Sequence, residues 1–216
     1  MSDSLQALLA HQEQLRACTQ CPEMVQPVII GNPGLSGVIS IGQAPGEREP
    51  QLGRPFAWTA GKQLFKWFES IGVDEESYRE QVYMAAVCRC FPGKNPKGGD
   101  RVPDKTEIAN CKAWLDREYE IIQPKLLIPI GKLAIAQMMK VSKLADVVGQ
   151  QHQIEVSGQA VDVIPLPHPS GLSTWHRMSP GKELLQQALD LIDQHPAWQV
   201  VKQARKSQGQ SEGQSE

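Results

Sequence analysis

The chain has 216 residues and a mass of 23.9 kDa, enough for one domain whose core needs no disulfide bonds. Hydrophobic residues make up 40% and charged residues 21%, which excludes a wholly disordered chain, and a net charge of −2 argues against a polycationic DNA coat. No apolar run reaches the roughly 20 residues of a membrane helix, and the polar N-terminus has no signal core. A cytoplasmic protein without a membrane partner is therefore expected.

Apolar periodicity predicts strands and helices that alternate along the chain. The strands are predicted at 37–42, 82–87, 125–130 and 160–165. The helices are predicted at 4–17, 61–71, 104–122, 131–140 and 180–194, and Asp104 with Glu107 forms a capping-box pattern. An acidic, solvated connection is expected at 74–80, and a Gly- and Pro-rich loop at 91–103. One domain over 1–202 and a disordered tail over 203–216 are the expected organisation.

This alternation predicts an α/β fold, a three-layer α/β/α sandwich with a central four-stranded parallel sheet. In such sheets ligands bind at the carboxyl ends of the strands. The loops that begin at 42, 88 and 166 follow the first, second and fourth predicted strands. We therefore expect these loops to build one site, in a protein that acts as a monomer.

Five cysteines occupy three segments, Cys18-x-x-Cys21, Cys88-x-Cys90 and Cys111. A disulfide framework is not expected in a cytoplasmic chain. Buried thiols are the simpler interpretation, but a C-x-x-C pair joined by cysteines from two later segments favours metal binding. Zinc and an iron–sulfur cluster both accept four thiolates, and the spacing does not separate them. Residues 88 and 90 point the same way on an extended strand, so geometry does not choose between them either.

Three motifs follow one another along the chain. The first contains Gly42-Gln43-Ala44-Pro45-Gly46, Gly53-Arg54-Pro55-Phe56 and Ala60-Gly61, the second runs from Ala86 to Asn95, and the third is His168-Pro169-Ser170. Together with four of the cysteines they resemble the iron–sulfur uracil-DNA glycosylases, whose first motif reads G-E-x-P-G-x-x-E-D-x-x-G-x-P-F-x-G-x-A-G. The resemblance covers roughly residues 18–191 and rests on the order and spacing of the motifs, since none is specific alone.

The resemblance implies a glycosylase that flips a base out of damaged or modified DNA and hydrolyses its N-glycosidic bond. It implies a [4Fe–4S] cluster, which would be structural, and its ligands would be Cys18, Cys21, Cys90 and Cys111. The implied base-binding residues are Gly42, Ala44, Phe56, Ala86 and Asn95. His168 is the implied donor to the base oxygen on which negative charge grows as the bond breaks.

DNA contacts are expected from four further residues. Ser170 would bind a phosphate, and Leu172 would enter the gap left by the flipped base. Arg177 and Lys94 would supply positive charge. The competing interpretations are ordinary packing for Leu172 and solvated loop charge for Lys94.

Two positions depart from the family pattern. Gln43 stands where the family carries a carboxylate that orients or deprotonates water, and an amide cannot take a proton. Glu47 or Glu49 could supply the missing charge. Ala86 stands where the family carries an asparagine that reads the uracil edge, and a methyl group makes no hydrogen bond. The pair predicts an altered base preference.

Three other interpretations remain open from the sequence. One is a catalytically inactive DNA-binding module with the same fold, which would recognise modified or abasic DNA. Another is a zinc-stabilised α/β protein that acts on a free nucleotide. The last is a redox protein that uses the Cys88-x-Cys90 pair.

Overall fold

A computed structural model of the chain describes residues 2–171 and 173–212, with side chains through residue 204. Its centre is a mixed sheet with the strand order β2-β1-β3-β5-β4. The strands are β1 Val38–Gly42, β2 Tyr83–Ala86, β3 Leu126–Pro129, β4 His152–Val156 and β5 Gln159–Val163. The helices are α1 Asp3–Arg16, α2 Glu49–Leu52, α3 Thr59–Glu69, α4 Glu75–Gln81, α5 Lys105–Ile122, α6 Lys132–Ala136, α7 Gly181–Gln194 and α8 Pro196–Glu212.

The four predicted parallel strands are confirmed as β1, β2, β3 and β5, but the sheet has a fifth strand in the described part of the chain. This strand, β4, pairs antiparallel with β5, so the predicted four-stranded parallel sheet is corrected to a mixed five-stranded one. Ser157 and Gly158 join the two strands with positive φ angles of 49° and 76°. Such a two-residue turn matches the twist of a hairpin, so the Ser157-Gly158 pair is the signal by which β4 could have been found.

Three helices were not expected from the sequence, namely the four-residue α2 and the longer α4 and α8. The acidic segment at 74–80 forms α4, in which the Asp74 side chain caps the Ser77 amide and the Tyr78 ring is fully buried. Helix α8 buries Trp198 and Val201 and continues past residue 203, where a disordered tail was expected to begin, as far as Glu212. Packing of Tyr78, Trp198 and Val201 in the core therefore stabilises α4 and the first half of α8 despite the polar composition of these segments.

Alternate residues of the parallel strands enter two separate cores, one on each face of the sheet. Val38 and Leu126 pack against α3, α4, α7 and α8, whereas Ile39 and Leu127 pack against α1, α5 and α6. These two helical layers give the three-layer α/β/α arrangement that the sequence predicts. Within the described residues, none of the helices is both long and apolar enough to cross a membrane.

Candidate functional site

The loops after β1, β2, β3 and β5 meet at the carboxyl edge of the sheet. Gly42 at the end of β1 lies opposite Ala86 at the end of β2. On the other side of β1, the amide of Ile130 donates to the carbonyl of Ile41 over 2.8 Å, and Ile130 also bridges to Leu166 in the chain after β5. Since neighbouring strands lie about 4.8 Å apart, the loop that carries His168 lies about 10 Å from the end of β1.

A narrow pocket opens between the ends of β1 and β2. Four of the five residues predicted to bind the base line it, namely Gly42, Ala44, Phe56 and Ala86. Ile29, Pro45, Glu49, Pro55, Met84 and Ala85 complete its wall. Its volume of ≈ 30 Å³ is room for one or two water molecules, so a nucleobase enters only when the pocket widens.

Two glycines allow Phe56 to lie against the end of β1. A Cβ atom on Gly42 would lie 3.1 Å from the Phe56 ring, and a Cβ atom on Gly61 would lie 1.7 Å from the Phe56 carbonyl oxygen. Phe56 itself has a φ of 50°, a conformation that costs free energy for any residue but glycine. Strain of this kind persists where the surroundings hold the backbone in place, as they do here.

Glu49 and Arg79 bind opposite polar groups of the turn that carries Phe56. The Glu49 carboxylate accepts hydrogen bonds from backbone amides that include those of Phe56 and Ala57. Arg79 donates from its guanidinium to the carbonyls of Pro55 and Phe56 over 2.8 and 3.2 Å. Donors and acceptors of the turn are thus both satisfied, which fixes the ring at the wall of the pocket.

Glu49, not Glu47, is the carboxylate of the pocket wall. Its side chain is buried, and burial raises its pKa to about 7 although backbone amides and Arg79 act in the opposite direction. Glu47 is exposed and pairs with Lys94 at 2.8 Å, which lowers the pKa of Glu47. Of the two carboxylates that could replace the one missing at Gln43, the structure brings only Glu49 to the pocket.

His168 lies at the same edge of the sheet, beside the end of β3. Its ring packs on Gly131, where a Cβ atom would lie 3.2 Å from the imidazole. The Ser170 amide donates to Nδ1 of His168 over 3.2 Å, so the ring proton of the neutral form is on Nε2. Burial, together with the nearby His176, lowers the pKa of His168. A neutral imidazole with a free Nε2–H donor is the consequence.

The remaining predicted residues lie outside the pocket wall. Gln43 is half-buried directly after β1, and Asn95 is exposed in the 91–103 loop, where its side chain accepts from the Lys97 amide. Lys94 is exposed and ion-paired with Glu47 and Asp100. Arg177 is exposed near the His168 loop. Leu172 lies outside the described residues.

The four predicted cluster ligands line a second cavity, on the α1 and α5 side of the sheet. Cys18 and Cys21 follow α1, Cys90 lies in the loop after β2, and Cys111 lies on α5. Burial, followed by the charges of Cys111, Cys18 and Cys21, raises the pKa of Cys90 to about 12. The four sulfur atoms are therefore close enough to interact, although no three His, Cys, Asp or Glu residues of the described chain are placed to hold a metal ion.

Cys88 is fully buried and is not part of the wall of this cavity. A hydrogen bond between the Cys88 and Cys111 sulfurs lowers the pKa of Cys111 below its usual value. The bond in turn raises the pKa of Cys88. Cys90 therefore lies in the wall of the cavity, whereas Cys88 lies behind it in contact with Cys111, and the choice of Cys90 as a ligand stays a prediction.

A buried ion pair connects the cysteine cavity to α5. Arg89, which also lines the cavity, donates to the carboxylate of Glu118, and both side chains are almost completely buried. Tyr83 donates to the same carboxylate over 2.7 Å, and His11 of α1 lies 3.6 Å from it. The ion pair therefore joins α1, β2 and α5 around the cysteines. Sequence reasoning missed it because nothing in the local pattern shows that a charged residue on a helix faces inward.

The chain is thus an α/β protein with a narrow pocket at the carboxyl edge of its sheet and a histidine on another loop of the same edge. The sequence model of the Uracil DNA glycosylase superfamily matches residues 29–192, which is most of the chain. The chain therefore belongs to the uracil-DNA glycosylase superfamily.

Curated proteins similar to this chain carry related names. A type-4 uracil-DNA glycosylase of Thermotoga maritima is 31% identical over 163 residues, covering 74% of this chain and 80% of that protein. A type-4 uracil-DNA glycosylase of Pyrobaculum aerophilum is 28% identical over 168 residues, covering 74% and 81%. A type-5 uracil-DNA glycosylase of the same organism is 29% identical over 147 residues, covering 63% and 62%.

Proposed function

We propose that this protein is a DNA glycosylase that hydrolyses the N-glycosidic bond of uracil, or of another modified pyrimidine, after the base is flipped out of DNA. The observation that carries the proposal is the meeting of Gly42, Ala44, Phe56 and Ala86 in one pocket, with the neutral imidazole of His168 at the same edge of the sheet. Family membership supports it, since the similar curated proteins are named for this activity. A cytoplasmic monomer stays the expected form.

His168 stabilises the departing base in this proposal. Negative charge develops on the base oxygen as the glycosidic bond breaks, and a donor already aimed at that oxygen lowers the barrier. The Ser170 amide holds Nδ1 of His168 as an acceptor, so Nε2 is left to donate. Burial lowers the pKa of His168, and the ring can therefore donate from its neutral form without first taking up a proton.

Glu49 and Gln43 divide the task of the missing carboxylate. Gln43 follows β1 directly and can hold a water molecule through its amide, but it cannot take the proton. Glu49, with its pKa raised to about 7, accepts a proton near neutral pH and also holds the turn of Phe56. The Phe56 ring would stack on the flipped base, as aromatic groups do in base-flipping pockets.

Ala86 shapes the base preference. It lines the pocket opposite Gly42 and offers only a methyl group where an amide would read the uracil edge. We therefore expect the protein to distinguish only weakly between uracil and pyrimidines that have a different hydrogen-bonding edge or an added substituent. Ala86→Asn is expected to raise uracil release relative to other bases, and Ala85→Ser in the same wall serves as the matched polar control.

A base-release screen tests the function. End-labelled oligonucleotides that carry uracil, 5-hydroxymethyluracil or hypoxanthine are incubated with the protein as single strands and as duplexes, then cleaved with alkali at abasic sites. Cleavage with a pyrimidine substrate, and its loss in His168→Ala, supports the proposal. Binding to these substrates without any cleavage would contradict it and would favour the inactive DNA-binding module.

We propose that the second cavity holds a four-iron cluster. Four cysteine sulfurs from three segments line it, which is the donor set that such clusters use. When bound, the cluster would crosslink the chain after α1 to α5 and to the loop after β2, and it would take no part in bond cleavage. Arg89 lies in the same wall, where its guanidinium is paired with the buried carboxylate of Glu118.

Metal analysis of the purified protein tests this assignment. Iron and sulfide in equal amounts with a broad absorption near 400 nm are expected, and a colourless zinc protein would contradict the assignment. Cys90→Ala should lose the absorption, whereas Cys88→Ala should keep it. The reverse result would show that the two cysteines have been assigned wrongly.

A further inference from the structure

Trp58 is a large aromatic side chain on the surface. Half of it is exposed, whereas Trp67 and Trp198 are buried in the core. It occupies the position before α3 but makes no capping hydrogen bond with its side chain. The family motif quoted above has a glycine at this position, so the ring is a feature of this chain. Half of the indole therefore stays open to solvent directly after the turn that carries Phe56.

Positive charge surrounds the Trp58 ring. The guanidinium of Arg48 lies 5.8 Å and the ammonium of Lys62 lies 6.0 Å from the ring centroid. Both side chains are exposed, and no carboxylate among the described residues is within ion-pair distance of either. Arg54 is exposed close by in the sequence. A surface that combines an aromatic ring with positive charges can bind a negatively charged polymer whose units carry flat aromatic rings.

This Trp58 platform, made of Trp58, Arg48 and Lys62, lies next to the base pocket. Trp58 follows Phe56 by two residues, a separation that the chain spans in at most about 7 Å. Arg48 immediately precedes Glu49, which lines the pocket. A nucleotide bound in the pocket would therefore have its chain neighbour within reach of the indole.

We propose that Trp58 stacks on an unpaired base beside the flipped nucleotide, while Arg48 and Lys62 contact the flanking phosphates, so that the protein prefers single-stranded DNA. The proposal rests on the proposed function for the identity of the flipped nucleotide. Bases in a duplex already stack on each other and leave no face for the ring, whereas unpaired bases stack readily on aromatic side chains. The two cations add affinity that does not depend on sequence.

Binding of uracil-free DNA tests the platform separately from catalysis. Single-stranded oligothymidylate of about 12 nucleotides is titrated into the intact protein and followed by tryptophan fluorescence and anisotropy, with the matching duplex in parallel. Trp58→Ala should weaken single-strand binding about tenfold and change duplex binding less than twofold, while Trp58→Phe should retain most of the affinity. Val200→Ala, which shortens another exposed apolar side chain, is the control and should leave both affinities unchanged.

The cations are tested by salt dependence. Arg48→Ala and Lys62→Ala should each reduce the slope of log affinity against log salt by about one, whereas Lys125→Ala, at the amino end of β3, should not. The proposal would be overturned if Trp58→Ala lost equal affinity for single-stranded and duplex DNA, or if it lost no affinity for single-stranded DNA. If Trp58→Ala weakens single-strand binding but the unsubstituted protein releases no base, the role of Trp58 is supported and the proposed glycosylase function is contradicted.

Discussion

Glu49 and Glu118 are two buried carboxylates whose pKa values shift in opposite directions. Glu49 is 9% exposed and Glu118 is 0% exposed. Burial raises the pKa of Glu49 to about 7, and backbone amides offset this only in part. Burial also acts to raise the pKa of Glu118, but the charge of Arg89 and hydrogen bonds from His11 and Tyr83 lower it below the usual value.

The difference comes from the partners of each carboxylate. Arg89 donates directly to Glu118, so that carboxylate stays charged and serves as a structural connection. The guanidinium of Arg79 near Glu49 is engaged with Glu75 and with the carbonyls of the Phe56 turn. Glu49 therefore exchanges its proton near neutral pH, which is the property required of a group that acts in catalysis. Burial alone therefore does not decide whether a carboxylate is charged at neutral pH.

The largest effect is expected for Glu118→Gln. This change leaves Arg89 buried without its counter-charge, and breaking a buried ion pair costs about 3–5 kcal/mol of folding free energy. Urea unfolding of the two proteins measures it. Glu120→Gln, which removes an exposed pair with Arg117, should cost no more than about 1 kcal/mol. Similar losses for both variants would show that the buried pair contributes no more than a surface one.

On the pocket side, His168→Ala should slow base release by about 10²–10³-fold because the donor to the base oxygen is lost. Single-turnover kinetics with excess enzyme measure the rate of the bond-breaking step. His152→Ala, which removes another half-buried histidine bound to a backbone carbonyl, should leave the rate unchanged. A loss of less than tenfold in His168→Ala would argue against His168 as the donor.

The pH dependence of stability tests the raised pKa of Glu49. Between pH 4.5 and 7 the unfolded chain releases the Glu49 proton while the folded chain keeps it, so the free energy of unfolding falls by about 3 kcal/mol as pH rises through this range. Glu49→Gln should abolish this fall, as measured by urea unfolding at several pH values. Glu47→Gln should retain it, because that carboxyl is exposed. An unchanged profile in Glu49→Gln would contradict the pKa shift.

The smallest effect on stability is expected for Lys94→Ala. Its ion pairs with Glu47 and Asp100 are exposed, and such pairs add little to folding. The urea midpoint should therefore not change measurably. If Lys94 also binds a phosphate, the salt slope of DNA binding falls by about one in this variant. A clear loss of stability would show that Lys94 holds the 91–103 loop in place.

Much of the fold could be predicted because the buried strands are short apolar runs and α5 begins with a capping box at Asp104, which the structure confirms. Helix α4 could not be predicted, since its polar sequence hides the inward-facing Tyr78. The pocket residues followed from motif resemblance. The burial of Glu49 and the left-handed turn at Phe56 did not, because both depend on contacts with residues distant in sequence, such as Arg79.

The backbone of the turn at Phe56 is held by contacts that do not involve the phenyl ring. Its carbonyls are held by Arg79, its amide by Glu49, and Gly61 lets its backbone approach α3. Replacement of the phenyl group would leave these backbone contacts intact. The width of the pocket could therefore be changed by substitution at position 56 while the backbone contacts of the turn are kept. Residues that tolerate a positive φ, such as asparagine and histidine, are the first substitutions to try.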